Sequence, residues 1–309
     1  MTSPRGKLPL GHDGYVKLWA LSRPRLQFDF LLIDEAQDTN DVVLAVLEDQ
    51  QCQVVYVGDK YQQIYEWRGA VNALEKIMTP RSCHLQRSFR FGPRIAMVAN
   101  QLLDKLKSSK RIVGSSGKGS ILNKIDLPDV LIGRTNAGIL TTVADFRERG
   151  VKVFVEGGID ELKRLVRAVF ELEEHGSCNA PEFFGFHSWD EVVRYSETDA
   201  GKDLVSFVSL VNSLGKKRLW RIICSCEQSA DSAQVTVSTA HRSKGREWDR
   251  VRLLNDFVTP EIDESGNIKP LSDEDHRVLY VAVTRAKREL DLGENVAAYL
   301  GRTSRQANG

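Results

Sequence analysis

No part of this sequence is apolar for long. None of its hydrophobic runs approaches the ~18 residues that a membrane span needs, and the opening MTSPRGKLPLGHDG holds no apolar core of a signal peptide. The expected setting is the cytosol, or the nucleus in a host that has one, with no membrane partner. Cysteine is scarce: there are five, an odd number, scattered except for Cys224-Ser-Cys226. That pair lacks the two-residue spacer and the second ligand pair of a zinc site, so reduced, buried thiols are expected rather than disulfides or metal. Missing too is a phosphate-cradling loop, G-x-x-x-x-G-K-[ST], ahead of residue 34. The tract GSSGKGS (114–120) contains Gly-Lys, but Gly119 follows where Ser or Thr should stand. It reads as a flexible linker.

What remains is an ordinary soluble composition, 41% hydrophobic and 28% charged, in 309 residues, enough for two domains with an insertion. The net charge of +1 hides an uneven distribution. Arg81 to Lys118 carries nine Lys/Arg and one acid, whereas Glu156 to Asp199 carries eleven acids and four bases. Such blocks suit either a polyanion met on one face or two solvated faces of opposite sign. Charge alone leaves both open.

The pattern predicts strands over 28–34 and 53–58 flanking a helix at 40–50, then a helix near 69–78. A strand-like 82–87 precedes a helix at 92–107, where Pro93 suits the first turn. Strand 129–135, helix 136–149 and strand 151–157 follow, and after 158–233, which is helical and amphipathic, strands return at 234–240 and 249–257, with a helix about 272–285. This is the rhythm of a parallel α/β fold interrupted by a helical insertion.

Chemistry enters at FDFLLIDEAQD (28–38). Its apolar run fits a strand buried on both faces, which delivers Asp34 and Glu35 to the C-terminal edge of a parallel sheet. There Asp34 can hold Mg²⁺ and Glu35 can orient and deprotonate a water. VVYVGDKYQQIYEWRGA (54–70) repeats the device: a strand ends at Gly58-Asp59 and a polar turn presents Gln62, able to bond a terminal phosphate. Tyr65 and Trp67, beside Arg68, suit stacking on unpaired bases. Either ring could instead belong to the core.

DEAQD and GDxxQxIYxWRGA resemble motifs II and III of the UvrD/Rep/PcrA family of superfamily 1 DNA helicases. LQRSFR (85–90) resembles motif IV, VLIGRTNA (130–137) the strand and turn after it, STAHRSKGREWDRV (238–251) motif V, and HRVLYVAVTRAKREL (276–290) motif VI. HDGYVKLW (12–19) and RGAVNAL (68–74) lean towards the branch containing the F-box DNA helicases. The resemblance implies two RecA-like domains with ATP held between them. It divides the chain into an accessory remnant (1–25), a partial first RecA-like domain (26–79), a second one (80–157 and 234–300), the insertion (158–233) and a disordered tail (301–309).

The same resemblance implies roles. Asp34 binds magnesium, Glu35 activates water and Gln62 senses phosphate. Arg90 and Arg285 reach the γ-phosphate, Phe89 stacks on adenine in place of the family's usual Tyr, and Gly245 and Glu247 belong to the nucleotide site, Glu247 meeting the ribose. Tyr65 and Trp67 stack on bases, Thr239 and His241 touch the strand's backbone or relay its presence to the ATP site, and the partners are single-stranded DNA and duplex junctions. The missing phosphate loop leaves the first domain with an open sheet edge and the chain a weak ATPase by itself. It is then part of a 3′-to-5′ translocase and helicase of repair or recombination, a subunit completed by a loop-bearing partner, or a binding module that has lost catalysis. The stacking role is tested directly: Trp67→Ala should weaken single-strand binding by about 1–3 kcal/mol. Unchanged affinity in a fluorescence titration would return Trp67 to the core.

Overall fold

The computed structural model describes residues 12–65, 73–198, 201, 204–258 and 271–302. Trp67, the first part of the helix expected near 69–78 and most of the expected tail lie outside them. The chain divides into two compact units, residues 1–84 and 85–309. Among the described residues, no helix is long and apolar enough to cross a membrane.

The first unit contains α1 (His12–Leu21), β1 (Phe30–Ile33), α2 (Asp41–Glu48), β2 (Gln53–Tyr56) and α3 (Ala73–Lys76). β1 and β2 pair in parallel, from Phe30 opposite Gln53 to Ile33 opposite Tyr56. The Asn40 side chain accepts the Val43 amide at 2.9 Å and starts α2, which buries Leu44, Val46 and Leu47. One expectation fails here. The run FDFLLI is not buried on both faces: Phe30 is 58% and Leu32 65% exposed, with Phe28 and Val57 exposed as well. Side chains alternate across a strand, and in β1 the Phe30–Leu32 face is open while Leu31 and Ile33 are half-buried.

The second unit is built on a six-stranded, wholly parallel sheet in the order β5-β10-β9-β6-β8-β7. Its strands are β5 (Ile121–Leu122), β6 (Val130–Gly133), β7 (Val153–Val155), β8 (Val235–Thr239), β9 (Trp248–Leu253) and β10 (Ala286–Asp291). Every residue of β6, VLIG, is buried, as are the first four of β8. The apolar run of β6 suits the middle of a covered sheet, and in β8 Thr236 and Ser238 are buried beside Val235 and Val237. A small parallel pair, β3 (Arg87–Ser88) with β4 (Val113–Gly114), stands apart. Gly114, read as the start of a linker, is therefore in a strand, and the strand expected over 82–87 shrinks to two residues.

Helices α4 (Pro93–Lys105), α5 (Asn136–Glu148), α10 (Ala240–Ser243) and α11 (Asp273–Val283) connect the strands, and α12 (Gly293–Tyr299) follows the last of them. Between β7 and β8 lie α6 (Asp160–His175), α7 (Trp189–Ser196), α8 (Val205–Leu214) and α9 (Lys216–Cys224). α6 shows why this stretch is helical: Leu162, Leu165, Val166, Val169 and Leu172 recur at helical spacing and are buried. They share one core with Leu140 and Val143 of α5 and with Val153, Val235 and Val237 of the sheet. The helical segment is thus packed onto the sheet and α5.

Asp256, just after β9, fastens the turn between β6 and α5. Its carboxylate accepts the amides of Arg134 and Thr135, both at 3.0 Å, and the Thr135 hydroxyl at 3.0 Å. Burial pushes its carboxyl pKa up, opposed by these three donors. Asp256→Ala strands two amides, so it should lower stability by about 2–4 kcal/mol. A thermal or urea melt checks this; a loss within error would show that the turn holds without the carboxylate.

Candidate nucleotide and nucleic-acid site

In the first unit the carboxylates sit where β1 gives way to a 3₁₀ turn, Ala36–Asp38. Asp34 and Glu35 are both exposed. Glu35 is in the left-handed region, φ 51°, uncommon for a residue with a side chain. Its amide donates to Asp34 Oδ1 at 2.9 Å, so the Asp34 carboxylate is held against the backbone of its neighbour.

The arrangement depends on a residue that the sequence reading gave no role. Gln37 is fully buried. Its Nε2 donates to Glu35 Oε2, and its Oε1 accepts the Asp59 amide at 3.1 Å. Gln37 therefore ties the end of β1 to the turn after β2. Gly58 makes this possible: a Cβ there would lie 2.2 Å from Gln37 Oε1. Asp59 continues the chain of bonds, accepting the Tyr61 amide and Gln62 Nε2, each at 3.0 Å. Asp34, Glu35 and Gln62 thus belong to one network through Gln37 and Asp59. Tyr65 lies three residues beyond Gln62 and is half-buried.

The second unit assembles the other group. Arg90 follows β3, Glu247 precedes β9, and Arg285 stands between α11 and β10. Arg90 Nε bonds Glu247 Oε2 at 2.8 Å and its Nη1 donates to the Thr284 carbonyl at 3.1 Å. Arg285 is 2% exposed. Its Nε donates to the Val281 carbonyl at 2.9 Å, Nη2 to Thr284 Oγ1 at 3.0 Å and Nη1 to the Arg246 carbonyl at 3.3 Å. Thr284 serves both arginines, Arg90 through its carbonyl and Arg285 through its hydroxyl. Only its place in VTRAK could have signalled it.

Phe89 is 72% exposed, while Gly245, φ +80°, turns the chain two residues ahead of Glu247. Thr239 ends β8, and its hydroxyl accepts the Arg242 amide at 3.3 Å, capping α10. His241 is half-buried on that short helix. Thr239 and His241 lie at the C-terminal end of β8, whereas Glu247 and Arg285 lie at the N-terminal ends of β9 and β10. The sequence-predicted nucleotide and DNA residues of this unit therefore fall at opposite strand ends.

Hydrogen bonding from Arg90, with its charge and that of Lys287, lowers the Glu247 pKa. A carboxylate lowered by folding stabilises above its ordinary pKa, and that contribution is lost as pH falls through the lowered value. The Glu247 carboxyl resonance should accordingly titrate below the usual glutamate range, and its midpoint should rise in Arg90→Gln. A midpoint indifferent to that substitution would mean that the pair does not persist in solution.

With both groups in place, comparison with known proteins is informative. The profile of the UvrD-like helicase C-terminal domain matches residues 27–293. The chain is 31% identical to F-box DNA helicase 1 of Gallus gallus, over 92% of this chain and 31% of that protein. It is 30% identical to F-box DNA helicase protein 1 of Schizosaccharomyces pombe, over 93% of this chain and 37% of that protein. DNA helicase II of Haemophilus influenzae is 33% identical over 62% of this chain and 26% of its own length. The chain spans about a third of the length of the two F-box relatives.

Proposed function

The chain belongs to the UvrD-like helicase C-terminal domain family, and from that premise we propose that it forms part of an ATP-dependent DNA helicase moving 3′ to 5′ on single-stranded DNA in repair or recombination. One observation carries this reading: Arg90 and Arg285, 195 positions apart in the sequence, converge on Thr284. Paired guanidiniums held in fixed positions answer the charge that builds on phosphoryl oxygens during transfer.

Asp34 fits Mg²⁺. It is an exposed oxygen donor, and among the described residues no group of three or more His, Cys, Asp or Glu is placed to hold a metal ion. A cation bound through one carboxylate and the substrate's own phosphates suits magnesium. When bound, Mg²⁺ neutralises phosphoryl charge and orients the terminal phosphate. Glu35, oriented by Gln37, takes the proton of the attacking water. Gln62, held by Asp59, bonds the terminal phosphate. Arg285 exchanges its carbonyl partners for phosphoryl oxygens. Phe89 stacks on adenine and Glu247 meets the ribose, with Gly245 shaping the turn before it. Tyr65 and Trp67 stack on bases, and Thr239 and His241 touch the strand.

The backbone amides and lysine that cradle β- and γ-phosphates come, in this proposal, from outside these 309 residues, supplied by an upstream segment or a partner subunit. The open Phe30–Leu32 face supports this. Parallel sheets are ordinarily covered on both faces, and a second strand-and-helix layer would cover it. The same observation also suits the alternative of a regulatory DNA-binding subunit completed by a loop-bearing partner.

The decisive assay is ATP hydrolysis stimulated by single-stranded DNA, with Glu35→Gln as the blank. The chain alone should match the blank. Adding the part of F-box DNA helicase 1 that this chain does not span should restore turnover, which Glu35→Gln then lowers by at least about a hundredfold while DNA binding is kept. Turnover by the chain alone would overturn the need for the loop. Joint loss of hydrolysis and DNA binding in Glu35→Gln would remove Glu35 from its role as base.

A further inference from the structure

The acidic stretch that begins at Glu156 has no task in the function proposed above. The structure ties its first residues to the segment that carries the nucleotide-directed groups. Arg242, on α10, donates from Nη1 to the Gly157 carbonyl at 2.7 Å and pairs through Nη2 with Glu161 at 2.8 Å. Arg246, four residues on, pairs through Nη2 with Glu156 at 3.0 Å. The Glu156 side chain is only 14% exposed. A carboxylate so far removed from water needs a cation beside it.

The turn at residue 157 is shaped around this contact. Gly157 has φ +77°, and a Cβ there would lie 1.9 Å from Arg242 Nη1. Any side chain at 157 would expel the guanidinium. Glu156 and Gly157 lead from β7 into α6, and Glu161 lies in the first turn of α6, whose apolar face is part of the core shared with α8 and α9. On the other side, the Arg246 carbonyl accepts from Arg285 and the next residue, Glu247, holds Arg90. Arg246 thus joins the foot of the helical insertion to the peptide that holds Arg285 and leads into Glu247, and Arg242 makes a second contact with the insertion four residues earlier, on α10.

We infer that Arg242 and Arg246 are positioning residues, a two-point clamp through which the placement of the helical insertion sets the placement of Arg285 and Glu247. The bearing of this clamp on hydrolysis rests on the function proposed above; the mechanical link does not. A melting temperature would register the loss of the cation beside the sheltered Glu156 carboxylate whatever Arg285 does, so the clamp is recognised by what it positions.

The test exchanges charges in the full 309-residue chain: Arg246→Glu, Glu156→Arg, and both together. The readout is the side-chain Nε–H resonance of Arg285 and its rate of exchange with solvent, followed by NMR without nucleotide. Each single reversal should shift that resonance and speed its exchange by about tenfold, as a local opening does. The exchanged pair should restore both, and Arg242→Gln should reproduce the single-reversal effect. An unmoved Arg285 resonance in a folded Arg246→Glu chain overturns the clamp, as does an exchanged pair that fails to restore it. If a reversal prevents folding, Arg246→Gln and Glu156→Gln are read by the same criteria. A chain that hydrolyses no ATP under any condition counts against the proposed function, while the clamp stands or falls on the NMR result.

Discussion

Taking the Arg285 guanidinium out of water imposes a demand that organises the surrounding chain. A buried cation must replace its hydration with fixed dipoles. Here they are the Val281 carbonyl, the Thr284 hydroxyl and the Arg246 carbonyl. Those groups come from α11, from the turn into β10 and from the turn into β9, so all three are held in one arrangement. Arg90 then shares the Thr284 peptide, and Glu247 is fixed by Arg90. One desolvated charge thereby bears on where Arg90 and Glu247 stand.

The first unit solves a comparable problem with neutral groups. Two neighbouring carboxylates repel each other, and their spacing must be set by something rigid. The Glu35 amide bonded to Asp34, and the buried Gln37 amide spanning from Glu35 to Asp59, supply that rigidity. The carboxylates keep their solvent exposure while the group that aims them is sealed away. This division keeps the carboxylate oxygens of Asp34 and Glu35 open to solvent.

Much of this was legible in the sequence because it is local. VLIG announces a covered strand through unbroken apolarity, VTVST a strand through its β-branched residues, α6 its helix through helical spacing, and the carboxylates their place through an abrupt end to an apolar run. What escaped the reading is non-local or depends on absent neighbours. FLLI in β1 is as apolar as VLIG in β6, yet one lies half in solvent and the other is wholly buried. Apolarity states a need for cover but not whether cover is present. Gln37 was quoted within DEAQD without a role, since its partner amide at Asp59 lies 22 residues on. The Arg90–Glu247 pair spans 157 residues, and no pattern in either motif announces the other.

The strand order has a consequence for how this protein is made. β10, among the last elements of the chain, lies between β5 and β9, so as the polypeptide leaves the ribosome β5 waits without a neighbour until residues 286–291 are clear of the exit tunnel. Contacts so distant in sequence form slowly, and β9 presents a bare edge meanwhile. Arg285 emerges immediately ahead of β10. The pair of arginines therefore cannot exist on a nascent chain, and a ribosome stalled before that point releases a product that carries Asp34, Glu35 and Arg90 but lacks Arg285 and the Thr284 peptide that holds Arg90.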